Sequence, residues 1–238
     1  MILIIEFSVK LAFCAEDLKK GINDMTQPTD ISIISTVEQL QGINGTVSPS
    51  TQLKVLPALE AHAKSFIERS PFLVISSGMV GNLDASPRGD APGFVKVLDD
   101  TTLLIPERPG NRLADTLTNI VEQPGVGLLM LIPGMNETLR VNGNAYITDH
   151  QPYLDQLAHN GKPPKLAIVV DITQTYFHCA KAFIRSGLWN PETFMERSEM
   201  PTLGKIILEQ IKGQPATDEE VSGIDASLEQ DSKENLYH

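Results

Sequence analysis

The sequence predicts a β-rich α+β fold, a small antiparallel barrel of five or six strands with helices outside it. Short apolar runs recur at residues 71–77, 94–98, 102–105, 126–132, 137–147 and 166–172, with the length and β-branched content of strands. Turn signals separate these runs, and helical patterns lie outside them. A chain of 238 residues with 41% hydrophobic content can bury one substantial core.

The N-terminal residues 1–13 are the most apolar stretch near either end, but Glu6 and Lys10 interrupt them and no basic residue leads in. That disfavours a secretory signal. Met25 offers a second plausible start, so residues 1–30 are expected to be a poorly ordered extension. Leu56, Leu59, Ala63, Phe66 and Ile67 then mark one face of a helix ending near Arg69, with His62 on another face. Residues 71–77 open the sheet, and 78–84 read as a glycine-containing turn. Residues 94–98 and 102–105 form a hairpin around Asp99-Asp100. Next comes a helix with Asn111 as its N-cap and Leu113, Leu117, Ile120 and Val121 on its apolar face. Pro124-Gly125 closes it, and residues 126–132 read as a strand buried on both faces. Residues 137–147 return as a strand in which Gly143 signals a bulge or a close backbone approach.

A short helix over 153–160 and a strand over 166–172 follow. A helical pattern runs from Tyr176 to Leu188 and stops at Trp189-Asn190-Pro191. Residues 193–212 suit a further helix with Ile206, Ile207 and Ile211 on one face. From Gly213 the chain turns acidic and polar and is expected to be a loosely held tail, which leaves 31–212 as the folded domain.

Composition narrows the function. The chain has 30 acidic and 19 basic residues, a net charge of -11, which argues against a general nucleic-acid binder. Two distant cysteines, Cys14 and Cys179, suit a reduced, cytoplasmic setting. The histidines show no zinc spacing, so no metal is expected, and no apolar run has membrane-spanning length.

The densest chemistry lies between Ser86 and Arg112. Ser86-Pro87-Arg88-Gly89 leads into the hairpin, and Pro106-Glu107-Arg108-Pro109-Gly110-Asn111-Arg112 leads out of it into a helix. A helix N-terminus presents unpaired N–H groups and the positive end of its dipole. With Arg112, Arg108 and Arg88 nearby it would suit a phosphate monoester. A capped helix whose arginines lie in solvent fits the same spacing.

The order strand, S-P-R-G-D-x-P-G-F-V, strand, P-E-R-P-G-N-R and helix resembles the pyridoxamine 5'-phosphate oxidase-like flavoproteins, in particular a branch of FMN-dependent enzymes. The resemblance runs from about residue 31 to 192 and is densest over 70–143. It implies a six-stranded antiparallel split barrel with flanking helices, and a homodimer that binds FMN at its interface. Leu104, Ile105 and Pro106 match the strand edge along the flavin ring. Gly110, Asn111 and Arg112 match the phosphate turn, with Leu113 where better-known members carry lysine. Arg88 and Arg108 are the substitute cations, and Ser86 adds a hydroxyl. Lys96 takes no carried-over role. Glu137 and Thr138 match the strand that reaches the flavin from the second subunit, although a merely structural strand fits as well.

His178, Lys181 and Arg185 are spaced to share one helical face, which suggests an anionic ligand for Lys181 and Arg185, while Trp189 is expected to fill the core rather than pack on the flavin. After Arg185 only Arg197 remains, so the arginine-rich C-terminal segment that recognises pyridoxamine phosphate is missing. The resemblance thus implies an FMN-dependent oxidoreductase of unknown small-molecule substrate, without strict pyridoxamine phosphate oxidase activity. A non-catalytic flavin or electron carrier, or a split barrel for haem or a deazaflavin, are the rival readings.

Overall fold

The computed structural model describes residues 31–79, 81–110 and 113–237, which fall into two compact units, Met1–Ser48 and Pro49–His238. Within the first, helix α1 (Val37–Asn44) is opened by a capping box between Thr36 and Gln39, and its side chains are exposed.

The second unit begins with a single helical turn, α2 (Pro49–Gln52), followed by α3 (Ala61–Arg69). The helix expected from Leu56 starts only at Ala61, because the Glu60 carboxylate accepts from the His62 and Ala63 N–H groups at 2.7 Å and caps it there. Leu56 instead exchanges two backbone hydrogen bonds with Thr175.

Seven antiparallel strands follow: β1 (Phe72–Met79), β2 (Asn82–Gly89), β3 (Lys96–Val97), β4 (Thr102–Pro106), β5 (Gly125–Leu131), β6 (Thr138–Thr148) and β7 (Ala167–His178). They form one sheet in the order β2-β1-β5-β6-β7-β4-β3. The six expected strands are present, and β2 is the addition. It covers what the sequence suggested was a turn and a lead-in segment. Its inward face is Asp84, Ser86 and Arg88, so no apolar alternation announces it. Its proline, Pro87, is tolerated because β2 is an edge strand.

Alternation directs Leu73 and Ile75 of β1, Leu128 and Met130 of β5, Leu139 and Val141 of β6, Ile168 and Val170 of β7, and Leu103 and Ile105 of β4 into one core. Phe66 and Ile67 of α3 and Ile120 of α4 (Asp115–Glu122) close it. Each such side chain contributes about 1.5–3 kcal/mol of burial. β5, expected to be buried on both faces, buries only one fully. On the other face of the sheet, Leu104, Ala167 and Val169 pack under Leu154 and Leu157 at α5 (Gln151–Gln156).

The sheet is curled. In a flat sheet β2 and β4, five places apart in the strand order, would be about 24 Å apart. Yet Arg88 on β2 lies 3.3 Å from Glu107, the residue after β4. The architecture is therefore the split barrel with flanking helices. Curling draws on the bulge at Gly143, where the β6–β7 register shifts and a Cβ would lie 2.3 Å from the Asp171 carbonyl oxygen.

Three further expectations change. Helix α4 begins at Asp115 behind the left-handed residue Ala114, not behind Asn111, which lies outside the described residues. It buries Thr116, Asn119 and Ile120 and leaves Leu113 and Val121 exposed. Its contact face is set by polar groups: Thr116 Oγ1 donates to Asp84 at 2.8 Å, and Asn119 Nδ2 to Ser77 Oγ at 3.2 Å. β7 runs on to His178, where a helix was expected, because β6 pairs with it as far as Thr138.

Helix α6 (Lys181–Ser186) follows, then α7 (Leu203–Lys212). The tail expected to be loosely held contains α8 (Asp218–Glu234), capped by Thr217 and Glu220. It docks where the Gly204 N–H donates to Asp225 at 3.1 Å. Among the described residues no helix is long and apolar enough to cross a membrane.

Candidate functional site

Where the barrel closes, the face of β2 meets the segment that leaves β4. Arg88 Nη1 donates to Ser86 Oγ at 2.9 Å and to the Pro87 carbonyl at 3.1 Å. Its Nη2 faces Glu107 Oε2, and both side chains are largely buried, at 18% and 24% exposure. Among the described residues, Arg88 Nε and Glu107 Oε2 are both buried without a hydrogen-bond partner. Burial pushes the Glu107 carboxyl above its usual range, with Arg88 opposing.

One step further along both segments, Arg108 Nε donates to Asp90 Oδ2 at 2.8 Å and Nη2 donates to the Leu157 carbonyl at 3.1 Å. The Asp90 side chain is only 2% exposed. Burial alone would raise its carboxyl. The Ala91 N–H, the Tyr237 hydroxyl and Arg108 together outweigh that and hold it below the usual carboxylate range. Lys96 Nζ is drawn in to the Gly93 carbonyl at 2.8 Å.

The sequence-predicted residues divide into two groups. Ser86, Arg88, Pro106 and Arg108 gather at the seam. Ile105 is fully buried in the core and pairs with Ile168, and Pro106, also buried, ends β4 opposite Ala167. Asn111 and Arg112 lie outside the described residues.

Thr138 is buried at the start of β6 and pairs with His178. Lys181 and Arg185 are exposed on α6, while His178 ends β7 and so does not share a helix with them. Trp189, expected in the core, is instead half-buried at the surface: its Nε1 donates to the Met135 carbonyl at 2.7 Å and its ring stacks near Phe183. Ala167 and His178 are eleven residues apart on β7, about 35 Å for an extended strand. The two groups thus lie at opposite ends of one strand.

The seam's carboxylates, Glu107 and Asp90, were not singled out from sequence, nor were His159 and Tyr237. The only local signal was the nearness of opposite charges in R-G-D and E-R.

Residues 59–179 match the pyridoxamine 5'-phosphate oxidase family. The match takes in α3 and all seven strands, just over half of the chain, and the chain belongs to that family. It is narrower than the 31–192 suggested by sequence. Several solved structures are similar over about half of this chain. HupZ of Group A Streptococcus shares 15% identity over 49% of this chain and 91% of its own, with a TM-score of 0.40. General stress protein 26 of Bacillus anthracis gives 16%, 48%, 88% and 0.38 on the same measures. An FMN-binding protein of Syntrophomonas wolfei gives 15%, 49%, 84% and 0.37. These scores fall below 0.5 and add nothing to the family assignment. No curated protein matches the chain.

Proposed function

We propose that this protein binds FMN between two copies of the chain and uses it as an oxidoreductase on a small molecule. The observation that carries this is Arg88: a largely buried guanidinium at the seam, inside the family match, whose Nε has no hydrogen-bond partner among the described residues. An unpartnered buried donor is costly unless something arrives to accept from it or to reorganise its neighbours. Arg88 therefore fits a phosphate-bearing cofactor. Arg108 is already engaged by Asp90 and Leu157, so its role is to brace the loop.

In this reading Arg88 and Arg112 hold the phosphate, Ser86 orients Arg88, and the segment at Ile105-Pro106 lines the ring. Thr138, Lys181 and Arg185 come from the second copy. FMN, when bound, supplies hydride and electron transfer, while the protein supplies orientation and electrostatics.

Purified protein titrated with FMN should give flavin bands near 375 and 450 nm, values typical of the cofactor to within about 10 nm. Arg88→Ala and Arg112→Ala should each weaken FMN binding about 10- to 100-fold while changing riboflavin affinity far less, since only FMN carries the phosphate. Equal losses for the two flavins would remove the phosphate role, and absence of any flavin binding would remove the function. Turnover of a donor and acceptor by the loaded protein separates an enzyme from a flavin carrier.

A further inference from the structure

Tyr237 lies beyond α8, yet its ring is held on three sides by residues from distant parts of the barrel. It stacks on His159 with centroids 3.8 Å apart and planes inclined by 2°. The Arg108 guanidinium sits 5.5 Å from the ring centroid, within cation–π range. The hydroxyl donates to Asp90 Oδ1 at 3.0 Å.

Each wall has its own support. Arg108 is fixed by Asp90 and the Leu157 carbonyl. His159 sits in a tight turn closed by two backbone hydrogen bonds with Lys162, which Asn160 and Gly161 make possible with positive φ. Asp90 also accepts from the Ala91 N–H at 2.7 Å. Each wall thus has a support besides its contact with Tyr237. A cavity of about 140 Å³ lined by Asp90, Phe94, Lys96, Arg108 and His159 adjoins these walls.

We propose that Asp90, Arg108 and His159 form a binding slot for a flat ring bearing a hydroxyl group, and that Tyr237 is its tethered occupant. The two flat cationic or aromatic walls select a ring, and the buried carboxylate selects a hydroxyl on its edge. The neighbouring cavity leaves room for a substituent on that ring. A tethered side chain acts at an effective concentration on the order of millimolar, so a free phenol must outcompete it. The slot stands whether or not the protein binds FMN.

The test titrates p-cresol into the full chain and into Tyr237→Ala by calorimetry, with circular dichroism to confirm the fold. Tyr237→Ala should bind p-cresol at least about tenfold more tightly than the unaltered chain, because the competitor is gone. Toluene, which lacks the hydroxyl, should bind it at least about tenfold more weakly than p-cresol does, as expected for loss of a charge-assisted hydrogen bond. Tyr237→Phe keeps the ring but loses the hydroxyl bond to Asp90, so its p-cresol affinity should fall between those of the unaltered chain and Tyr237→Ala. Equal p-cresol affinity with and without Tyr237, or no binding to Tyr237→Ala, overturns the slot. Should Tyr237→Ala not fold, excess p-cresol added to the unaltered chain should raise hydrogen exchange at Tyr237, and unchanged exchange overturns the proposal equally.

Discussion

Glu107 is held at the seam by two opposed effects, burial that raises its carboxyl pKa and Arg88 that lowers it, and burial prevails. The folded chain then binds this proton more tightly than the unfolded chain does. As pH rises through the window above the ordinary carboxylate value, stability falls, until the folded group too has ionised. Glu107→Gln removes that titration. Melting temperatures measured across this window should show the variant gaining on the unaltered protein as pH rises, then running parallel to it. A constant offset at every pH would show that burial does not dominate. The arginines here were legible in the sequence as candidate cations. Their partners were not, because Arg88 meets Glu107, and Arg108 meets Asp90, only once the barrel closes. Tyr237 reaches Asp90 across 147 positions, beyond any local pattern.

Gly143 interrupts a strand that pairs on both sides, and the sequence marks it as a bulge or close approach. The structure supplies both, since a Cβ there would lie 2.3 Å from the Asp171 carbonyl oxygen and 3.0 Å from its carbon. Gly143→Ala must therefore displace the β7 backbone, and it should cost about 1–3 kcal/mol in denaturant unfolding. At Gly127 the nearest atom is a side-chain oxygen 3.4 Å away, so Gly127→Ala should cost less than about 1 kcal/mol. Equal costs would deny the bulge its role. Strands β1, β4 and β5 were readable as short apolar runs, for the same reason that they fold: their apolar side chains enter the core. β2 and the end of β7 were not. The inward face of β2 is Asp84, Ser86 and Arg88, and the final residues of β7 are polar and aromatic, made a strand by pairing with β6. Helix α8 did carry a sign, the capping box of Thr217 and Glu220, but its acidity masked it.

At the scale of the whole molecule, closing the sheet brings Arg88 to Glu107 but leaves Thr138, Lys181 and Arg185 at the far end of β7 from Pro106. No fold of a single copy with this register joins the two groups at one small ligand. If both contact FMN, each site takes one group from each of two copies, and symmetry gives two such sites per dimer. That arrangement has a consequence that a single-chain site lacks. Arg88→Ala damages one half of a site, and the Lys181→Ala/Arg185→Ala double variant damages the other half. Either variant alone binds FMN poorly. Mixed in equal amounts and allowed to exchange subunits, they form mixed dimers in which one site carries both defects and the other carries none. About half of the dimers are mixed, so about one quarter of all sites should recover unimpaired FMN affinity. A fluorescence titration of the mixture should therefore show a tight phase of that amplitude, absent from either variant alone. No tight phase after complete exchange would place both groups' effects within one chain, and the shared site would have to be abandoned.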